Sequence, residues 1–168
     1  MPFFTRLMAV FYTRFRGLAN RAAKGLSARP QLDIPWTLFI KPLKDSRIAI
    51  ITTAGVHRST DRPFDMSDAD GDPTFRVINA DTPVTSLKIT HDYYDHRDAD
   101  KDINVVFPIE RLRELEKDGV IGGVAMRHFG LMGHIKGRFI KPLVETTASE
   151  IARMLKEDKV DAVVLTPG

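Results

Sequence analysis

Hydrophobic and polar positions follow two periods along this chain, and the clearest switch between them lies in residues 104–134. Ile109, Leu112 and Leu115 recur at helical spacing after Pro108, whose missing N–H is tolerated in a first helical turn. Glu110, Arg113, Glu114 and Lys117 line the opposite face as two opposite-charge pairs three residues apart. Gly119 predicts a left-handed C-terminal cap. Residues 120–126 are a short apolar run, fit for a strand buried on both faces. Arg127, His128, Gly130, Gly133 and His134 follow as a polar, glycine-hinged exit.

The same patterning predicts three more strands. Residues 47–53 are apolar and β-branched and end at Ala54-Gly55, residues 84–90 lead into His91, and residues 160–165 lead into Thr166-Pro167-Gly168. Thr147-Ala-Ser-Glu150 reads as a capping box, and Ile151, Met154 and Leu155 give the helix after it a buried face. At the other end of the chain, residues 3–24 predict an amphipathic helix, with Phe4, Leu7, Met8, Phe11, Phe15 and Leu18 striped beside arginines. Such a helix suits docking on a partner subunit or on its own domain, or lying on an anionic membrane surface. The arginines and the lack of a small-residue cleavage site argue against a secretory signal. A linker broken by Pro30 and Pro35 follows, and Trp36, Leu38, Phe39 and Ile40 are expected to pack the entry segment against the domain. The predicted organisation is a basic helix and linker over residues 1–30 and an α/β domain over residues 31–168. Its expected architecture is a three-layer, mostly parallel open sheet (Rossmann-like), with the N-terminal amphipathic helix as an addition.

Composition narrows the chemistry. The 168 residues are 43% hydrophobic and contain no cysteine, so disulfides, thiolate catalysis and cysteine–metal sites are excluded for this sequence. The net charge of +3 is unevenly placed: residues 1–32 hold six basic side chains and no acidic one, leaving 19 basic against 22 acidic in the remainder. The domain is therefore net acidic, which argues against a nucleic-acid partner.

If the strands lie mostly parallel, their C-terminal ends share one edge of the sheet, the usual ligand edge of open α/β folds. The loops arriving there carry His57 and Arg58, then His91 and Asp92, then Arg127, His128 and His134, then Thr166. His91-Asp92-x-x-Asp95-His96 offers two imidazoles and two carboxylates, an alternative metal site of the kind a hydrolase uses. The aspartates at 65, 68, 70 and 72 do not fit a calcium loop, because aligning Gly71 with its sixth position places Met66 first and Val77 twelfth. No phosphate-binding glycine motif occurs.

A collinear series of short motifs carries a resemblance. It comprises Trp36-Thr37, Lys41-Pro42-Leu43, Ile51-Thr52-Thr53-Ala54-Gly55-Val56-His57 and Gly71-Asp72-Pro73-Thr74-Phe75-Arg76. It continues through His91-Asp92-Tyr93-Tyr94-Asp95, Asn104-Val105-Val106-Phe107-Pro108, Arg111-Leu112-x-Glu114-Leu115, Gly119-Val120-Ile121-Gly122 and Met132-Gly133. Over residues 35–168 the chain resembles the selenoprotein B family of glycine, sarcosine, betaine and D-proline reductases. The resemblance implies reductive C–N bond cleavage by a selenolate, with electrons from a dithiol or thioredoxin-type reductant and a partner subunit. It also implies that the last strand leads to a selenocysteine, expected as an intrinsic residue just after Gly168, with no other bound cofactor.

Such a reaction needs an acid for the leaving amine and donors for the carboxylate of an amino-acid-like substrate. By the strand-end argument the candidates are His57, His91 and His128 as acids, with Asp92 orienting an imidazole. Arg58, Arg127, His134 and Thr166 are the candidate substrate-binding groups. The 168 residues lack the nucleophile and are expected to be inactive alone, in a cytoplasmic setting, with the basic helix as a membrane or subunit contact. The alternatives are a non-catalytic α/β ligand-binding or assembly module and a metal-dependent hydrolase.

Overall fold

The computed structural model describes Gly17 and residues 37–168. The predicted helix over 3–24 (Gly17 aside), the linker and Trp36 lie outside the described residues. Lys41–His91 and His96–Gly168 form one unit, outside which Asp92–Asp95 fall. Leu38 and Ile40 are 74% and 81% exposed.

The fold is mixed α/β, built on an open sheet whose central strand is β1 (Arg47–Thr52). Ile48, Ala49, Ile50 and Thr52 are all buried, so β1 is covered on both faces, as a parallel central strand must be. β2 (Val56–Arg58) follows, then β3 (Arg76–Asn79) and β4 (Leu87–Ile89). After a helix come β5 (Gly123–Val124) and β6 (Arg127–Gly130), and β7 (Ala162–Thr166) is last. β5, β6 and β7 pair with β1 in parallel, while β3 runs antiparallel along β6.

Two predicted strands are rearranged. Residues 84–90 do not enter the main sheet. After Pro83 the chain makes a tight turn over Val84–Ser86, closed by the Ser86 hydroxyl donating to the Pro83 carbonyl at 2.7 Å. Only β4 remains extended, and it pairs antiparallel with β2 in a separate ribbon. His57 and Arg58, expected on a loop, therefore lie in β2. Residues 120–126 are likewise not one buried strand. Gly122 sits in a turn, its N–H reaching the Leu43 and Ser46 carbonyls, and Val120 and Met126 are exposed. The chain pairs with β1 briefly as β5, departs, and returns as β6.

That interruption explains His128. Ala125 N–H reaches the Ile48 carbonyl and Leu131 N–H reaches the Thr52 carbonyl, both at 2.8 Å, which leaves the intervening Ile50 N–H without a backbone acceptor from this neighbour. The His128 Nδ1 takes it at 2.9 Å. A side chain thus supplies the missing rung of the ladder, as a buried N–H demands a partner.

The first helix, α1 (Ile109–Lys117), starts within one residue of Pro108 and buries Ile109 and Leu112. Asn104 holds its entry: its Oδ1 accepts Glu110 N–H at 3.1 Å and its Nδ2 donates to Glu110 Oε2 at 2.6 Å. Glu110 is thereby withdrawn from the expected pair with Arg113, and Arg111 pairs with Glu114 instead. Gly119 adopts φ +70°, as the predicted cap requires. The second helix, α2 (Ala148–Glu157), is preceded by helical turns over Ile140–Pro142 and Leu143–Thr147. Thr147 is therefore inside helical backbone and forms no capping box; its hydroxyl donates to the Pro73 carbonyl at 2.6 Å. Ile151 joins Phe129 and Leu131 in a buried cluster against Ile51, Phe75 and Met154. No described helix is long and apolar enough to cross a membrane.

Candidate functional site

The C-terminal ends of β1, β6 and β7 meet around Thr53, Ala54 and Gly55. Thr53 N–H donates to the Thr166 carbonyl at 2.9 Å, tying β1 to the exit of β7. Ala54 bridges to Met132, and Gly55 N–H donates to the Leu131 carbonyl at 2.8 Å, tying it to the exit of β6. The Gly55 carbonyl accepts Thr90 N–H at 3.0 Å, which brings the end of the β2–β4 ribbon to the same place. Gly55 has φ +73°, and a β-carbon on it would lie 2.5 Å from the Thr90 carbonyl oxygen, so only glycine allows this crossing. Gly168 packs directly against Ala54.

Two histidines belong to this junction. His57 is buried, edge-on to Phe64, with Nδ1 2.8 Å from the Arg58 carbonyl and Nε2 2.8 Å from Thr90 Oγ1. A carbonyl only accepts, so Nδ1 carries a proton, and in the tautomer protonated there alone Nε2 accepts from the threonine hydroxyl. His91 is also buried, and its Nε2 accepts Gly133 N–H at 3.1 Å. The neutral ring then carries its proton on Nδ1. Burial, reinforced by the charges of His134 and His96, pushes the His91 pKa down to about 4. His91 is thus an imidazole held neutral near pH 7. With Nε2 occupied by Gly133, the ring acts as a hydrogen-bonding group and not as a proton source.

The other candidates are held elsewhere. His128 is fully buried inside β6, edge-on to Phe107, and its Nδ1 is spent on Ile50. Burial, with the charge of Arg113, lowers its pKa to about 4, although the nearby Ala125 carbonyl favours the protonated ring. That carbonyl does not reach hydrogen-bond geometry with Nε2, which has no partner. Arg127 lies toward the opposite rim of the sheet, gripping Asp158 through two 2.7 Å bonds and reaching Glu157 at 3.2 Å. Those carboxylates hold its guanidinium charged. Arg58 grips Asp61 within its own turn, where burial alone would raise the carboxyl pKa but the hydrogen bonds from Arg58 outweigh it and hold it low. Thr166 donates to the Val106 carbonyl at 2.6 Å and retains its oxygen lone pairs. His134 Nε2 approaches the Ala69 carbonyl at 3.3 Å.

Asp92 and Asp95 fall outside the unit that holds these residues. His96 Nδ1 faces Asp100 Oδ2 at 2.8 Å. Among the described residues, no group of three or more histidine or carboxylate side chains is gathered closely enough to hold a metal ion. A cleft of about 620 Å³ opens at the far rim, lined by Arg47, Asn79, Met126 and Asp158 rather than by the predicted residues. Sequence reasoning overlooked Thr90 and Gly133, the partners that fix the two histidines, and Thr53, which ties β1 to β7. A threonine ending an apolar strand next to Ala-Gly or to a histidine was the available signal.

Comparison with known proteins completes the description. The family model of glycine/sarcosine/betaine reductase selenoprotein B matches residues 25–168. The chain is 45% identical over 133 residues to the D-proline reductase subunit gamma of Acetoanaerobium sticklandii, covering 79% of this chain and 53% of that relative. It is 31% identical over 140 residues to the glycine reductase complex component B subunit gamma of Symbiobacterium thermophilum, covering 82% of this chain and 32% of the relative. It is 31% identical over 148 residues to the betaine reductase complex component B subunit beta of Peptoclostridium acidaminophilum, covering 76% and 29%. The chain thus spans about half the length, or less, of these relatives. No solved structure matches it.

Proposed function

Since the chain belongs to the glycine/sarcosine/betaine reductase selenoprotein B family, we propose that it forms the α/β part of a subunit of a dithiol-dependent amino-acid reductase. The reaction is reductive cleavage of a C–N bond. A dithiol gives two electrons and becomes a disulfide, and two protons complete the new C–H and N–H bonds. The nucleophile is a selenolate carried by the polypeptide continuing beyond Gly168, and the 168 residues alone are inactive. The observation that supports this reading best is the contact of Gly168 with Ala54, where the exits of β1, β4, β6 and β7 converge.

The residues at that junction have work suited to the reaction. His57 is the junction imidazole that serves proton transfer to the leaving amine, while His91, held neutral, positions the Gly133 turn. The Thr166 oxygen and His134 line the side on which a carboxylate-bearing substrate binds. Arg58, Arg127 and His128, each engaged with its own partner, hold the frame. The subunit works in the cytoplasm with a partner subunit, which the basic N-terminal segment contacts.

The test is to sequence the transcript past codon 168 and assay both forms. UGA followed closely by a cysteine codon is expected, with dithiol-driven cleavage of D-proline, glycine, sarcosine or betaine by the selenium-containing product and none by the short chain. A UAA or UAG codon in that place, or turnover by the 168 residues alone, overturns the reading.

A further inference from the structure

One side of the main sheet is closed and the other is open. Beside the β3 edge packs β2 of the ribbon. At the opposite edge, β7 pairs with β1 and with no further strand among the described residues. Alternate residues of β7 therefore turn their N–H and C=O groups away from β1 without a sheet partner.

The faces of β7 are as open as its edge. Val164 is 37% and Leu165 72% exposed, although their register partners Ile50 and Ile51 are buried and half-buried. Ile51 packs into the cluster beneath α2, so Leu165 lies on that face. Thr166 turns to Val106, so Val164 lies on the other. Apolar neighbours on opposite faces are uncovered together, which a missing helix on one face would not explain. Residues 162–165 also carry none of the charges or prolines that protect a natural edge strand. Their unbroken apolar run is the signature of a central parallel strand.

We infer that the free edge of β7 is the docking site for a further parallel strand of the continuing polypeptide, with its crossover helix covering Leu165. This rests on the longer product proposed above. A parallel neighbour requires a crossover of a dozen or more residues, and this chain accounts for only 53% of its D-proline reductase relative. β7 then becomes an interior strand, and the junction at Ala54 lies between strands on both sides.

Amide exchange tests this directly. The 168-residue chain is compared with the product of its own transcript continued in frame, with UGA set to cysteine. The amides of Val163 and Leu165, which face away from β1, are expected to exchange at least about tenfold more slowly in the longer product, with β4 unchanged. Leu165→Lys is expected to leave the melting temperature of the short chain unaltered and to remove the protection in the long one. Equal exchange of β7 in both forms overturns the inference, even where the longer product is an active reductase. So does protection of the short chain that rises with its concentration alongside a doubled mass, because a second copy then occupies the edge. An immediate UAA or UAG also overturns it, together with the functional reading.

Discussion

The ring nitrogen Nε2 of His91 accepts the backbone N–H of Gly133 at 3.1 Å, joining the end of the small ribbon to the turn that leaves β6. The bond depends on a neutral imidazole. Replacing His91 by alanine leaves Gly133 N–H without this acceptor and opens a void, at a cost of about 2–4 kcal/mol in urea unfolding. His91→Gln can place an oxygen near the position of Nε2 and is expected to recover at least half of that loss. Faster exchange of the Gly133 amide in the alanine variant alone is the accompanying signature.

Acid sensitivity follows from the two buried imidazoles. His91 and His128 are each held near pKa 4, below the unperturbed 6.5, mainly by burial. A depressed folded-state pKa means that the unfolded chain takes up protons first. The stabilisation is therefore complete above about pH 6.5 and is lost as the pH falls toward 4. Each histidine contributes on the order of 3 kcal/mol across that window. Unfolding free energy measured from pH 7 to pH 4 is expected to fall steeply, with a shallower slope in His91→Gln. A flat profile would contradict the neutral assignments.

Arg127 and Asp158 form a forked pair that fastens β6 to the end of α2. Arg127→Ala is expected to cost about 1–3 kcal/mol in stability. Arg127→Lys should restore less than half, since an ammonium cannot make both parallel bonds. Substrate affinity of the selenium-containing product should be unchanged, as a titration of either variant would reveal.

Thr147 offers a sharper discrimination. Were it a cap, serine would substitute and valine would fray the helix. Its hydroxyl instead ties α2 to the Pro73 carbonyl. Thr147→Val is expected to cost about 1 kcal/mol while leaving helix content by circular dichroism unaltered.

The parts of this fold that were legible in the sequence are those set by local chemistry. β1, the α1 boundaries with the Gly119 cap, and the final strand all follow from patterning, because a buried strand or a helix face needs apolar residues at fixed spacing. The failures lie where tertiary pairing overrode the local signal. Arg127 and His128 read as loop residues because they are polar, yet they form β6, each held by a partner 31 or 78 residues away in sequence. Residues 84–90 read as a sheet strand because they are apolar and β-branched, but Pro83 and Ser86 fold half of them into a turn. Thr147 and Glu150 have capping-box spacing, a motif that presupposes a helix start at that point. The junction was partly foreseeable: His57 and His91 do reach it, while their partners Thr90 and Gly133 could be chosen only once the ribbon was known.

The imidazole patch between β6 and β1 has an evolutionary corollary. A lineage could exchange His128 for an ordinary strand residue only by also restoring continuous pairing along residues 123–130, so that a carbonyl arrives opposite the Ile50 N–H. The histidine and the break in the strand should therefore be inherited or discarded as a pair, and a homologue with one but not the other would need a different acceptor at that depth.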